Sequence, residues 1–207
     1  MNLYKDLIKP MNARILAFFG IVLFWWVLVL ISFAVFIDDP GPIFFTQRRV
    51  GKKVRGKIAC FKIYKFRTMK TSTPKDVPTH LLENPEQYIT RVGRILRKYS
   101  LDELPQVFNM LLGDLVLIGP RPALYNQDDL ITLREKYGIN DLLPGITGWA
   151  QVNGRDEISI PEKVKLDNYY KVRICKNSIS AIIMDLRCFF KTFEAVITSE
   201  GNREKGK

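Results

Sequence analysis

The chain contains little histidine and little cysteine, which limits the chemistry that it can carry. Its 207 residues include one histidine, His80, and three cysteines at positions 60, 175 and 188. The cysteines are odd in number and have no CxxC spacing, so a disulfide scaffold and a zinc site are both disfavoured, and a reducing compartment is favoured. His80 lies in a polar segment between two prolines and is a poor candidate for a catalytic base. Carboxylates, lysines, arginines and a bound metal ion remain as the candidates for chemistry.

Residues 15–37 lack charge and proline altogether. As a helix, about 23 residues extend roughly 35 Å, which is enough to cross the hydrocarbon core of a membrane. Basic residues stand on both sides of this segment, at positions 5, 9 and 14 and six times between 48 and 57. Because short basic flanks prefer the cytoplasmic side, we predict a re-entrant helix that enters and leaves by one face, with a single-pass anchor as the alternative. Residues 38–42 (Asp-Asp-Pro-Gly-Pro) are predicted to end the helix.

The net charge of +11 indicates an anionic partner. Nucleic acid, an acidic membrane surface and a phosphorylated substrate all fit that charge. The sequence lacks interleaved aromatic and basic residues and known nucleic-acid-binding motifs, so we expect no nucleic acid partner. A membrane-anchored nucleic-acid-binding protein stays an alternative based on charge alone.

The remaining pattern predicts a helix-rich α/β fold with small strands. We expect a membrane unit (1–40), a catalytic domain (41–200) and a tail (201–207). Predicted strands cover residues 43–47, 58–69 and 115–118, with a basic turn at 48–57, a polar loop at 71–85 and an irregular stretch at 143–155. Predicted helices cover residues 89–98, 107–112, 128–137, 161–172 and 178–198. The last of these is amphipathic, and its apolar stripe is equally consistent with a core helix and with an interfacial membrane helix.

Asp102 and Glu103 form an acidic pair in a basic neighbourhood. With Ser100 they match a capping box, which would explain both carboxylates without any function. In that arrangement Asp102 occupies the first turn of a helix, where negative charge and phosphate are favoured. An ionised aspartate beside a phosphate can attack phosphorus, and two adjacent carboxylates plus a diphosphate suit Mg²⁺.

Arg121 lies between two prolines in a Gly-Pro-Arg-Pro turn (119–122). A guanidinium held in this way suits bidentate phosphate binding, although a solvated surface arginine is the alternative. Lys65 and Arg67 alternate to one face at the end of a predicted strand, and we expect them in the same phosphate-binding cluster.

Four segments in order resemble the bacterial sugar transferases, the monotopic phosphoglycosyl transferases. They are residues 65–69 (Lys-Phe-Arg-Thr-Met), 100–106 (Ser-Leu-Asp-Glu-Leu-Pro-Gln), 119–122 and 144–155 (Pro-Gly-Ile-Thr-Gly-Trp-Ala-Gln-Val-Asn-Gly-Arg). The resemblance covers residues 10–200. It implies transfer of a sugar-1-phosphate from a UDP-sugar to undecaprenyl phosphate or another polyprenyl phosphate, on the cytosolic face of the bacterial inner membrane. It further implies Mg²⁺, a covalent phosphosugar–aspartate intermediate and a re-entrant membrane helix in contact with lipid.

The resemblance also assigns roles to individual residues. Asp102 corresponds to the nucleophile and Glu103 to its partner in metal binding. Arg121 corresponds to the phosphate-binding arginine. Nucleotide-sugar recognition falls to the segment that holds Gln151, Asn153 and Arg155, and supporting roles fall to Asp167 and Tyr170. Relatives commonly break the membrane helix at a Ser-Pro pair, and this chain has Trp26-Val27 there instead.

The sequence leaves some alternatives open. A non-catalytic scaffold of a glycan assembly complex would need Asp102 and Glu103 only as caps. Neither the sugar nor the final glycan is specified, and a homodimer is left open.

Overall fold

The computed structural model describes residues 2–74, 84–154 and 158–197. The helix-rich α/β fold predicted from the sequence is confirmed. Most of the predicted polar loop, Arg155 and the predicted tail lie outside the described residues. The helices are α1 (Lys9–Asp38), α2 (Arg91–Lys98), α3 (Gln106–Leu112), α4 (Asp128–Lys136), α5 (Trp149–Val152), α6 (Ile160–Lys176) and α7 (Ser178–Ile197). The strands are β1 (Phe44–Val54), β2 (Lys57–Phe66), β3 (Val116–Ile118) and β4 (Gly145–Thr147).

Helix α1 is the apolar segment, and within the described residues it belongs to the one helical stretch long and apolar enough to cross a membrane. It is interrupted at Phe24, whose φ of −118° and ψ of 15° are not helical. The indole of Trp26 donates a hydrogen bond of 3.1 Å to the Leu23 carbonyl beside this break. This hydrogen bond gives the Leu23 carbonyl a donor from within the helix, beside the interruption. The helix ends at Asp38, as predicted.

Both halves of α1 pack against the same globular part of the chain. Ala13 and Ala17, before the break, pack into a cluster with Met110. Val35, after the break, packs with Leu96 in another cluster. Many other α1 side chains are more than half exposed, among them Phe18, Phe19, Leu23, Leu30 and Phe33. The helix therefore contacts the domain near both of its ends and exposes a large apolar surface between them.

The two ends of α1 are also held by polar contacts. Lys9 forms a salt bridge of 2.7 Å with Asp185 on α7. At the other end, Asp38 accepts a hydrogen bond of 2.7 Å from the backbone N–H of Val92 in the first turn of α2. That contact satisfies one of the amides that a helix N-terminus leaves without a partner.

Strands β1 and β2 form an antiparallel hairpin in which Phe44 pairs with Phe66. The predicted basic turn over residues 48–57 is therefore wrong, because most of it lies in β1. The reversal needs only Arg55 and Gly56, which both have positive φ (50° and 79°), as a two-residue hairpin turn requires. Charge did not prevent a strand here because a half-exposed strand accepts polar side chains on its open face.

Strands β3 and β4 are parallel, with Val116 opposite Gly145. The predicted strand at 115–118 is confirmed, and β4 lies in the stretch that was expected to be irregular. Three glycines bring the two segments into close contact. A Cβ at Gly145 would lie 2.1 Å from the nitrogen of Gly119, and a Cβ at Gly148 would lie 2.1 Å from the Gly119 oxygen.

The predicted helices of the second half of the chain are confirmed as α3, α4, α6 and α7. On α7, the buried face is formed by Ala181, Met184, Asp185 and Cys188. The large apolar side chains that face outward are exposed by 41 to 72%; they are Ile179, Ile182, Ile183, Leu186, Phe189, Phe190 and Phe193. This arrangement favours the interfacial interpretation of α7 over the core interpretation.

Candidate active site

The acidic pair lies in a 3₁₀ turn, Leu101–Glu103, and not in the first turn of an α-helix. Ser100 has a left-handed backbone (φ 55°) and makes no side-chain cap, so the predicted capping box at Ser100 is wrong. Pro105 explains why the α-helix begins later than expected, because proline is tolerated at the start of a helix but not in its interior. Helix α3 begins directly after it, at Gln106. A capping box at Ser100 therefore does not explain the two carboxylates.

Glu103 is bound by two cations. Lys65, near the end of β2, donates a hydrogen bond of 2.7 Å to its Oε1, and Arg121 donates one of 3.1 Å to the same oxygen. The Glu103 side chain is 18% exposed. Burial alone would raise its pKa, but the charges of Arg121 and Lys65 outweigh burial and lower the pKa to about 2. Glu103 is thus a fixed anion that brings β2 and the Gly-Pro-Arg-Pro turn together.

Asp102 has a different environment. Its nearest cation is Lys65, 4.0 Å away, and its side chain is 15% exposed. Burial raises its pKa, opposed by the charge of Lys65 and assisted by that of Glu103. Arg97 on α2 also lowers this pKa by its charge, and its guanidinium is held by a 2.9 Å hydrogen bond to the Thr68 hydroxyl. Asp102 is therefore a carboxylate of raised pKa among cations, a combination that is typical of functional sites.

The structure does not bring Arg67 into this cluster, contrary to the expected grouping with Lys65. Arg67 forms a salt bridge with Asp39 and donates a hydrogen bond of 2.6 Å to the Pro42 carbonyl. Arg67 therefore holds residues 39–42, which follow α1, close to the end of β2. Alternation along β2 placed Lys65 and Arg67 on one face, but Arg67 lies one residue beyond the strand and follows the chain toward α1.

The residues expected at the nucleotide-sugar site bind their own segment in this structure. Gln151 donates a hydrogen bond of 3.1 Å to the Ile146 carbonyl, and Asn153 donates one of 2.7 Å to the Trp149 carbonyl. Lys191 on α7 donates a further hydrogen bond of 2.7 Å to Asn153. Arg155 lies outside the described residues. The contact of these three residues with a nucleotide sugar stays a prediction.

Asp167 and Tyr170 lie one turn apart on α6, and each is 1% exposed. Asp167 pairs with Arg134 on α4 at 2.6 Å. The Tyr170 hydroxyl donates to Asp185 at 2.7 Å and lies 3.1 Å from the Ile118 carbonyl. Sequence analysis did not find Arg134, because a basic residue in the last turn of a helix is ordinary.

Comparison with known proteins identifies the family. A family model described as bacterial sugar transferase matches residues 4–199. The chain belongs to the bacterial sugar transferase family. The resemblance found in the sequence is thereby confirmed, together with its transferase class.

Several relatives of this sugar transferase have been named. It is 40% identical over 176 residues to the uncharacterized sugar transferase EpsL of Bacillus subtilis, covering 84% of this chain and 80% of that protein. It is 40% identical over 162 residues to the UDP-glucose:undecaprenyl-phosphate glucose-1-phosphate transferase of Escherichia coli, covering 77% of this chain and 34% of that protein. It is 36% identical over 172 residues to a UDP-N-acetylgalactosamine-undecaprenyl-phosphate N-acetylgalactosaminephosphotransferase of Aeromonas hydrophila, covering 81% and 38%. The chain thus spans little more than a third of the length of the last two relatives.

The carboxylates of this sugar transferase fit the expected Mg²⁺. No group of three or more His, Cys, Asp or Glu side chains suited to a metal occurs in the described part of the chain. Mg²⁺ does not need one, since it is commonly bound by one or two carboxylates and completes its octahedron with water and substrate phosphate oxygens. Asp102 and Glu103 would supply those carboxylates from one turn, and the low pKa of Glu103 keeps it ionised.

Proposed function

We propose that this sugar transferase moves a sugar-1-phosphate from a UDP-sugar to undecaprenyl phosphate through a covalent phosphosugar–aspartate intermediate. The observation that carries the proposal is the pairing of a cation-bound Glu103 with the adjacent Asp102, whose nearest cation is 4.0 Å away. The printed names of the Escherichia coli and Aeromonas hydrophila relatives give UDP-sugars and undecaprenyl phosphate as substrates of those proteins.

In the first half-reaction, a carboxylate oxygen of Asp102 attacks the phosphorus that bears the sugar. The new bond joins that oxygen to phosphorus, the bridging phosphorus–oxygen bond to the nucleotide breaks, and UMP leaves with the electron pair. Lys65, Arg97 and Arg121 offset the negative charge that would otherwise keep an anionic nucleophile away from a diphosphate. Mg²⁺, held by Asp102 and Glu103, would neutralise further charge on the diphosphate.

In the second half-reaction, a phosphate oxygen of undecaprenyl phosphate attacks the same phosphorus. The bond to Asp102 breaks, the carboxylate is regenerated, and the product is a polyprenyl diphosphate sugar. A polyprenyl chain stays in the bilayer, so the site must lie at a membrane surface. The exposed apolar surfaces of α1 and α7 support that position.

The topology proposed for α1 is a re-entrant helix with both ends on the cytosolic face. The break at Phe24 and the contacts of Lys9 and Asp38 with one globular domain support it. A straight crossing would separate these two anchors by the thickness of the bilayer.

The test is the covalent intermediate itself. Purified enzyme is quenched after mixing with Mg²⁺ and a panel of UDP-sugars, and its intact mass is measured together with the UMP released. We expect a mass increase equal to one phosphosugar for the true donor, and no increase and no UMP with Asp102→Asn. Asp128→Asn, which neutralises an exposed aspartate on α4, is the matched control and should keep both signals. Normal UMP release by Asp102→Asn would exclude Asp102 as the nucleophile, and release by no donor at all would favour the scaffold alternative.

A further inference from the structure

The Gly-Pro-Arg-Pro turn has few backbone donors of its own, because Pro120 and Pro122 have no N–H. Buried carbonyls nevertheless need partners. Donors from four separate places meet the carbonyls of residues 120–123: Gly145 at Pro120, Arg134 at Arg121, Arg49 at Pro122 and Val50 at Ala123.

We propose that Arg134 is a positioning residue that sets the backbone of the phosphate-binding Arg121. Nη1 of Arg134 donates a hydrogen bond of 2.8 Å to the Arg121 carbonyl. Nε and Nη2 of the same guanidinium donate to Asp167 at 3.0 and 2.6 Å. Arg134 is 4% exposed and Asp167 is 1% exposed. This inference rests on the role proposed for Arg121 and adds a second residue, Arg134, that orients Arg121 through its backbone carbonyl.

A buried ion pair is not explained by stability alone. Removing two charges from water costs several kcal/mol per ion, and apolar residues of similar volume are often as stable. The guanidinium provides a planar fork whose donors point in fixed directions. With Nε and Nη2 held by Asp167, Nη1 is aimed at the Arg121 carbonyl. Lysine has one ammonium group and cannot reproduce this rigid geometry.

The backbone position of Arg121 matters for the reaction because it sets where the Arg121 guanidinium lies. That side chain reaches Glu103 at 3.1 Å and has to meet the substrate phosphate in one orientation. A misplacement of about 1 Å in such a group can cost about 10²-fold in rate. Arg134 thus contributes to catalysis without contacting substrate, and Asp167 contributes by orienting Arg134.

The experiment is a double-mutant cycle between positions 134 and 121. Arg134→Lys, Arg121→Lys and the double variant are compared with wild type in kcat/KM for UMP release. We expect Arg134→Lys to lose about 10²-fold in the wild-type background, mainly in kcat. We expect it to lose less than about 3-fold in the Arg121→Lys background, because residues that act through one another are not additive. Glu135→Gln is the control, since it breaks the surface contact with Lys53 one position along α4.

Hydrogen exchange provides a readout that needs no activity. Arg134→Lys should speed exchange in peptides covering residues 117–124, and Glu135→Gln should not. If Arg134→Lys fails to fold, Arg134→Gln replaces it in both measurements. Equal losses in the two backgrounds, or unchanged exchange in the turn, would overturn the inference. An inactive wild type would instead refute the proposed function, and the exchange result would still decide whether Arg134 holds the turn.

Discussion

Asp102 and Glu103 are adjacent in the chain, yet the pKa values of their carboxyl groups shift in opposite directions. The pKa of Glu103 is lowered to about 2 because the charges of Arg121 and Lys65 overcome the effect of burial. At Asp102 burial dominates and raises the pKa. One carboxylate is therefore a permanent anion that organises the cations. At the other, the proposed nucleophile, burial outweighs the nearby cations and raises the pKa, and shifted pKa values are common at functional sites.

The pH dependence of the first half-reaction should respond to Lys65. Its charge lowers the pKa of Asp102, so Lys65→Met raises that pKa further and the ionised nucleophile forms only at higher pH. We expect the acid limb of kcat/KM for UMP release to move to higher pH, at saturating Mg²⁺ in both proteins. Lys62→Met, on the same strand, removes one charge and should leave the limb in place. An acid limb that does not move with Lys65→Met would show that Asp102 ionisation does not govern it.

Acid stability should depend on Glu103. Its folded pKa of about 2 lies below the ordinary value of 4.5, so its ion pairs stabilise the fold above pH 4.5 and are lost as the pH falls toward 2. By pH 3 the loss amounts to about 2 kcal/mol, or roughly 4–8 °C in Tm for a chain of this size. Melting curves in detergent from pH 6 to pH 3 should fall more steeply for wild type than for Glu103→Gln. Parallel curves would contradict the prediction.

Substitutions should show that Arg67 has a structural role and that Arg121 has a role in the reaction. Arg67→Met removes the contacts to Asp39 and the Pro42 carbonyl, so the protein should lose about 1–3 kcal/mol of stability. Its kcat/KM should stay within about 3-fold of wild type when measured below the lowered Tm. Arg121→Met should instead lose about 10²-fold or more in kcat/KM at a temperature where it is folded, because the proposed phosphate contact is removed. A large loss of kcat/KM in folded Arg67→Met would return Arg67 to the phosphate-binding cluster.

Both flanks of α1 should label from one side of the membrane. Single cysteines at positions 5 and 52 are introduced after Cys60 and Cys175, which are exposed, are changed to serine. Cys188 can stay, because burial and the charge of Asp185 raise the pKa of its thiol to about 12. In inverted membrane vesicles, an impermeant maleimide should reach both positions, and in intact spheroplasts neither. Labelling of the two positions from opposite sides would establish a spanning helix.

The elements that sequence analysis predicted well are those whose signal is local. The uncharged segment of α1, the apolar stripe of α7 and Gly113, which ends α3, can all be recognised from neighbouring residues. The missed features depend on the rest of the fold. The length of β1 is set by its pairing with β2, and the turn that holds Asp102 depends on Pro105 and on the packing of Leu101 against the cluster that includes Phe66 and Leu96.

The same distinction holds for the site. Lys65, Asp102, Glu103 and Arg121 carry visible chemistry, and the structure brings them together. The position of Arg67 follows from Asp39, whose folded location no local pattern encodes. Arg134 acts through a backbone carbonyl, and such a contact leaves no pattern in the residue types of either partner.

The glycines at 119, 145 and 148 meet backbone to backbone, without room for a single methyl group between them. The Gly-Pro-Arg-Pro turn (119–122) and the segment that contains Trp149 (145–149) are therefore held together as one unit, although residues 123–144 separate them along the chain. Alanine at any one of the three positions would force the two segments apart, so a substitution in either segment would disturb the other.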